Sequence, residues 1–134
     1  MTREIINPWS WQDHFGFVQG HALNGSGRTI YCAGQTSVDA DGNPVHEGDM
    51  AAQMMQAIDN VEAVLRESGA GLSDVVRLTY FTTNVDAFFA AQDVLVARLR
   101  EAECRPAATL LGVSRLAFPP LLVEIEATAV AEAT

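Results

Sequence analysis

Residues 75–101 read VVRLTYFTTNVDAFFAAQDVLVARLRE, and the hydrophobic period changes once inside that stretch. From Val75 to Thr83 the residues are mostly β-branched or aromatic, which predicts a strand. Beyond it, Phe88, Ala91, Leu95 and Leu99 recur three or four apart. That spacing predicts a helix, capped by Asp86 and running to about Glu101. Ala107–Ser114 then predicts another strand. A strand, a helix and a strand in that order point to helices laid on a sheet.

The rest of the chain extends this pattern. Upstream, Asp49 reads as the cap of a helix over Met50–Glu67, whose buried stripe is Met54, Ile58, Val61 and Leu65. Gly69 is a natural stop for it. Further back, Phe15–Leu23 and Thr29–Gln35 predict two strands joined as a hairpin through Asn24-Gly25-Ser26-Gly27. Asp39–Pro44 is rich in turn residues and predicts a loop. Downstream, Pro119-Pro120 breaks the chain and Leu121–Val130 predicts the last strand. Only Ala131-Glu132-Ala133-Thr134 looks loose. The order is β-β-α-β-α-β-β, an α+β fold in one domain over residues 1–134. Two helices cover one face of a mixed sheet, and nothing in the chain covers the other. A second copy is expected to do so, hence a homo-oligomer.

Bulk properties narrow the function. The 134 residues carry a hydrophobic fraction of 49% and a charged fraction of 19%, as in a globular chain. The net charge is −9 with only eight basic residues, which argues against a nucleic-acid partner. No apolar run is long enough for a membrane span, and MTREIINPWSWQD lacks an apolar signal core, so a cytoplasmic protein is expected. Cys32 and Cys104 show no paired-ligand spacing and are expected as reduced thiols. His14, His21 and His46 show no metal-ligand spacing.

Strand alternation in VEIEAT places Glu124, Glu126 and Thr128 on one face and Val123, Ile125 and Ala127 on the other. Two readings stand for this acid pair. The carboxylates could face solvent or pair with Arg77 or Arg115. Or one of them lines a pocket and handles protons or water, as a carboxyl with a raised pKa does well.

Five segments, YCAGQTSVDADGNPVHEGDM, QMMQAIDNVEAVL, VVRLTYFTTNVDAF, PAATLLGVSRL and VEIEATAV, resemble the Rid family, also written YjgF/YER057c/UK114. The resemblance runs in order from Phe17 to Val130. It implies a chorismate-mutase-like fold and a homotrimer whose sheets form a central barrel, with small-molecule pockets between subunits. The best-known members hydrolyse enamines and imines to keto acids and ammonia without a cofactor. In them an arginine after a Pro-Ala step grips the substrate carboxylate, and a glutamate in the last strand holds the attacking water.

The resemblance assigns that glutamate to Glu124. The arginine position is Ala108, within Pro106-Ala107-Ala108. A tyrosine of the family corresponds to Phe17, a serine to Ala33, a cysteine to Leu110 and an asparagine to Gln92. The backbone at Ala33-Gly34 and Ala108-Thr109 is left to position a ligand. Four of these changes remove a polar group, so the expected pocket is apolar around one acid and suits a neutral or cationic ligand. Losing one partner of a buried charge pair costs about 2–5 kcal/mol, some tens to thousands of fold in affinity for a carboxylate. Arg105 and Arg115 are not expected to replace the arginine. Three functions follow: an imine or enamine hydrolase acting on a substrate without a carboxylate, a binding or regulatory protein that has lost the chemistry, and a purely structural role for the acids. Some members of the family are described as ribonucleases, and the negative charge argues against that activity here.

Overall fold

The computed structural model describes residues 1–133. In chain order it contains β1 (Thr2–Ile6), β2 (Gly20–Asn24), β3 (Gly27–Thr36), α1 (Met50–Glu67), β4 (Val75–Thr82), α2 (Val85–Glu101), β5 (Ala107–Gly112) and β6 (Val123–Glu132). Four strands make a mixed sheet in the order β3-β6-β4-β5, and β1 and β2 form a separate two-stranded sheet. Only β4 and β5 run parallel, joined through α2. β6 is antiparallel to both of its neighbours. The architecture is α+β, with both helices on one face.

The helices form where the sequence places them. Asp49 accepts a hydrogen bond from the Ala52 N–H at 3.0 Å and so caps α1. Met54, Ile58, Val61 and Leu65 are all fully buried. Gly69 ends the helix with φ +78°, and the Ala70 N–H returns to the Leu65 carbonyl. On α2, Phe88, Leu95 and Leu99 are buried against the sheet. Its cap is Asn84 rather than Asp86, and Asn84 Oδ1 accepts from the Ala87 N–H at 3.0 Å. Asp86 instead lies in the first turn, where a carboxylate favours the helix dipole.

The N-terminal third departs from expectation. Residues 2–6 form β1 and pair with β2, Thr2 opposite Asn24 and Ile6 opposite Gly20. The expected hairpin is therefore absent. β3 pairs with β6 instead, because a ten-residue strand finds a ten-residue partner there, whereas β2 has five residues. The expected strand from Phe15 begins only at Gly20, and Asp13–Phe15 is a 3-10 turn. Ala131 and Glu132, expected to be loose, extend β6 and pair with Arg28 and Gly27. Thr134 lies outside the described residues.

One buried polar side chain ties the helical layer to the loop before β6. Gln53 is fully buried on α1. Its amide donates to the Pro120 carbonyl at 2.9 Å and the His46 carbonyl at 3.2 Å, and it accepts from the Leu122 N–H at 2.8 Å. The His46 carbonyl also accepts from the Asp49 N–H, so the bonds to Pro120 and Leu122 are the ones that depend on this amide. Gln53→Ala is expected to lower the unfolding free energy by about 1–3 kcal/mol, measured by urea denaturation, because it strands buried backbone groups. An unchanged midpoint would mean that water replaces the amide.

Candidate functional site

The register of the sheet decides which side chains can meet. β6 pairs Ile125 with Tyr80 and Glu124 with Phe81. β5 pairs Leu110 with Tyr80 and Ala108 with Leu78. Alternation then puts Leu78, Tyr80, Ala108, Leu110 and Ile125 on the face under the helices. Arg77, Thr79, Phe81, Glu124, Glu126 and Thr128 lie on the open face. The candidate residues thus fall into two groups on opposite faces of one sheet.

The first group surrounds a cavity of about 260 Å³ between α2 and β5. Phe17, Gln92, Ala108, Thr109 and Leu110 all line it. Thr109 borders the space, but its hydroxyl accepts from Arg77 Nη2 at 2.7 Å on the open side. The remaining walls are chiefly aromatic, with Trp11, Phe15, Tyr80, Phe88 and Phe89. Sequence reasoning did not single these out. The available signal was the aromatic density of PWSWQDHFGF (residues 8–17) and the adjacent pair Phe88-Phe89. The loop carrying Trp11 and Phe17 reaches β5 through the Val18 N–H, which donates to the Pro106 carbonyl at 2.9 Å.

The second group centres on Glu124. Glu124 does not line the aromatic cavity. It sits on the open face beside a bulge in β3, where the register slips between Cys32 and Gln35. Ala33 and Gly34, both exposed, together oppose the single residue Glu126, so the bulge adds one residue to β3. Such a bulge bends a strand and re-aims its neighbours. Gly34 leaves room for Glu124: a Cβ on Gly34 would lie 2.8 Å from the carboxyl carbon and would overlap Oε2, so the carboxyl would have to turn away. Burial raises the Glu124 carboxyl above the ordinary carboxylate range, and the nearby negative Glu126 adds to the rise.

The alternative in which the acid pair is neutralised by arginine finds no support in the contacts. Among the described residues, the ion pairs involve neither Glu124 nor Glu126. Arg77 is engaged by Thr109. Arg105 is exposed at the chain's entry into β5, where its carbonyl accepts from His21 Nε2 at 2.7 Å. Arg115 lies in the exposed turn beyond β5. Neither arginine lines the aromatic cavity. Both cysteines are free and buried, and burial pushes the Cys104 thiol up to about 12, so neither is an activated nucleophile.

Comparison with known proteins gives the same answer as the fold. Residues 15–131 match the family model described as Endoribonuclease L-PSP. A solved structure of a conserved Rid family protein from Yersinia pestis superposes with a TM-score of 0.86 at 39% identity, covering 96% of this chain and 98% of that one. The chain belongs to the Rid family. A RutC family protein of Pyrococcus abyssi is 34% identical over 79% of this chain and 81% of its own length. The 2-iminobutanoate/2-iminopropanoate deaminase of Escherichia coli is 33% identical over 85% of this chain and 86% of its own. Among the described residues, no helix is long and apolar enough to cross a membrane.

Two outcomes follow from the Glu124 environment. Gly34→Ala is expected to destabilise the native protein but to be nearly neutral in a Glu124→Ala background. A double-mutant cycle by chemical denaturation measures the difference, expected at about 0.5–3 kcal/mol for groups in contact. The second concerns pH. A carboxyl with a raised folded pKa holds its proton longer in the native state, so native stability falls as pH rises through that value. Glu124→Gln is therefore expected to raise the melting temperature at pH 7, with the gain vanishing as pH falls below about 4. A gain that persists at low pH would assign it to packing instead.

Proposed function

We propose that this Rid protein hydrolyses an imine or enamine that carries no carboxylate, at a site assembled between subunits of a cytoplasmic homotrimer. The observation that carries this reading is Glu124: a partly buried carboxyl, raised in pKa, unpaired by any cation and given room by the bulge at Gly34. The two groups lie on opposite faces, so a single chain does not bring Glu124 to Ala108. A neighbouring copy packed on the open face would present its Glu124, Ala33 and Gly34 to this chain's Phe17, Gln92, Ala108 and Leu110.

The chemistry needs only that carboxylate and water. Ionised Glu124 takes a proton from water as the oxygen attacks the C=N carbon, and the imine nitrogen receives a proton. The proton on Glu124 is the one the nitrogen receives, and the resulting amino alcohol collapses: the hydroxyl proton passes to the nitrogen, the C–N bond breaks as the C=O bond forms, and ammonia leaves with Glu124 ionised again. The exposed backbone of the Ala33-Gly34 bulge lies beside Glu124, where the polar end of the ligand would sit. The E. coli relative's name specifies 2-imino acids, which carry a carboxylate. Ala108 withholds the side chain that would pair with one. A second reading, ligand binding without turnover, is favoured by that same alanine.

Ammonia release from imines generated in situ separates the readings. The native protein is expected to act on imines of neutral amines and to be weak on 2-imino acids. Glu124→Gln is expected to lower the rate about 10²–10⁴-fold, the usual contribution of a general base. Ala108→Arg is expected to shift preference toward 2-imino acids. Release from 2-imino acids by the native protein, insensitive to Glu124→Gln, overturns the proposal. Binding without release from any imine favours the second reading.

A further inference from the structure

We propose that the cavity between α2 and β5 is a specificity subsite for an uncharged aromatic ring, carried by the ligand whose polar end meets Glu124. The inference deepens the hydrolase reading by naming the part of the ligand that the chain recognises. Size is the first argument. A dry cavity of about 150 Å³ lined by apolar residues accommodates benzene, and this one is about 260 Å³. It has room for one or two fused rings with a short substituent.

The second argument is the nature of the walls. No charged side chain lines the cavity, and its polar groups are confined to Trp11, Tyr80, Gln92 and Thr109. The rings are set at angles to each other: Trp11 to Phe17 at 80° and 6.1 Å, Phe15 to Phe89 at 60° and 6.2 Å, Tyr80 to Phe88 at 51° and 5.5 Å. These walls offer both ring faces and ring edges, the complements of another aromatic ring. A carboxylate entering here would lose its water and gain no cation in exchange.

The third argument is that the aromatic loop is held in place by hydrogen bonds rather than by the rings alone. Gln12 lies beneath it, fully buried. Its amide donates to Asn7 Oδ1 at 3.2 Å, and its oxygen accepts from Gln19 Nε2 at 3.0 Å. Asn7 Oδ1 also accepts from the Gln19 N–H at 2.8 Å, and Arg100 Nη2 donates to the Asp13 carbonyl at 3.0 Å. With its shape set before any ligand arrives, the wall leaves Trp11 at 58% and Phe89 at 46% exposure. Ala108 leaves the strand side of this space open. A longer side chain there would occupy the space the ring needs.

The test uses the full chain in its native assembly, with indole as the uncharged ring and 2-oxobutanoate as the small carboxylate. Calorimetry is expected to show saturable indole binding, and indole is expected to raise the melting temperature with concentration. The carboxylate is expected to bind at least tenfold more weakly. Phe89→Ala is expected to weaken indole about tenfold, while losing its contacts with Phe15 and Phe88 lowers the melting temperature of the free protein only slightly. Ala108→Arg is expected to abolish indole binding. Glu124→Gln is expected to bind indole as the native protein does, which separates the subsite from the chemistry. Indole binding without ammonia release from any imine would remove the hydrolase reading and leave the subsite. Hydrolysis with no indole binding, indole binding indifferent to Phe89→Ala, or tighter binding of 2-oxobutanoate overturns the subsite. The first of those outcomes would assign the cavity to a side chain of a neighbouring subunit.

Discussion

Strand β6 lies between β3 and β4, and its alternation sorts every functional group of the sheet. Val123, Ile125 and Ala129 are fully buried and Ala127 nearly so, while Glu124, Glu126 and Thr128 face the other way. Because the side-chain period is two, a slip of one residue would drive both carboxylates under the helices. Burying them without partners is far costlier than any gain in pairing. The register is thus fixed by charge as much as by apolar packing. On β3, the bulge at Ala33-Gly34 sets a residue without a side chain beside Glu124.

From that register the division of the site follows. The face under α1 and α2 is the apolar face, so whatever β5 contributes there is apolar as well. Ala108 and Leu110 sit opposite Leu78 and Tyr80, and they meet Phe88, Leu95 and Leu99 across the cavity. Glu124 is excluded from that environment by geometry. Its raised pKa comes instead from partial burial and from Glu126 on the same face. A single chain therefore holds an acid on one face and an apolar recess on the other, and the proposed site needs a second copy to bring them together.

Much of this was legible in the sequence where a period was long and clean. Helix α1 could be read residue by residue, because its stripe, its cap and its glycine stop agree. The same holds for β4 and for the faces of β6. Reading failed where local signals compete. Asn84 and Asp86 are both good caps, and only the bond to the Ala87 N–H distinguishes them. Asn24–Gly27 carries strong turn residues, yet strand pairing is a tertiary choice, and β6 outbids β2 as the partner of β3. Strand β1 has five exposed residues and no burial pattern to betray it. Gln53 and Gln12 look like surface residues by type, and their burial shows only when their backbone partners are in place. The recess was hidden for a different reason. Its walls come from a loop, two strands and a helix, and no window of sequence contains them together.

The apolar residues around the recess belong together physically. An arginine at position 108 would stand in a space now lined by Phe17, Phe88 and Leu110, where its charge would find no partner among the lining side chains. Guanidinium burial is tolerable only when a carboxylate arrives and nearby hydroxyls complete the shell. On the proposed reading, in which the ligand carries no carboxylate, an arginine there would be a cost, and so would each hydroxyl set to serve it. Replacing one of them alone would leave the others unsatisfied. Replacing several gives an apolar surface that is stable without a ligand and still open to one. On that reading Phe17, Ala108 and Leu110 form one apolar surface, while Glu124, with Ala33 and Gly34 beside it, answers to a different constraint on the open face.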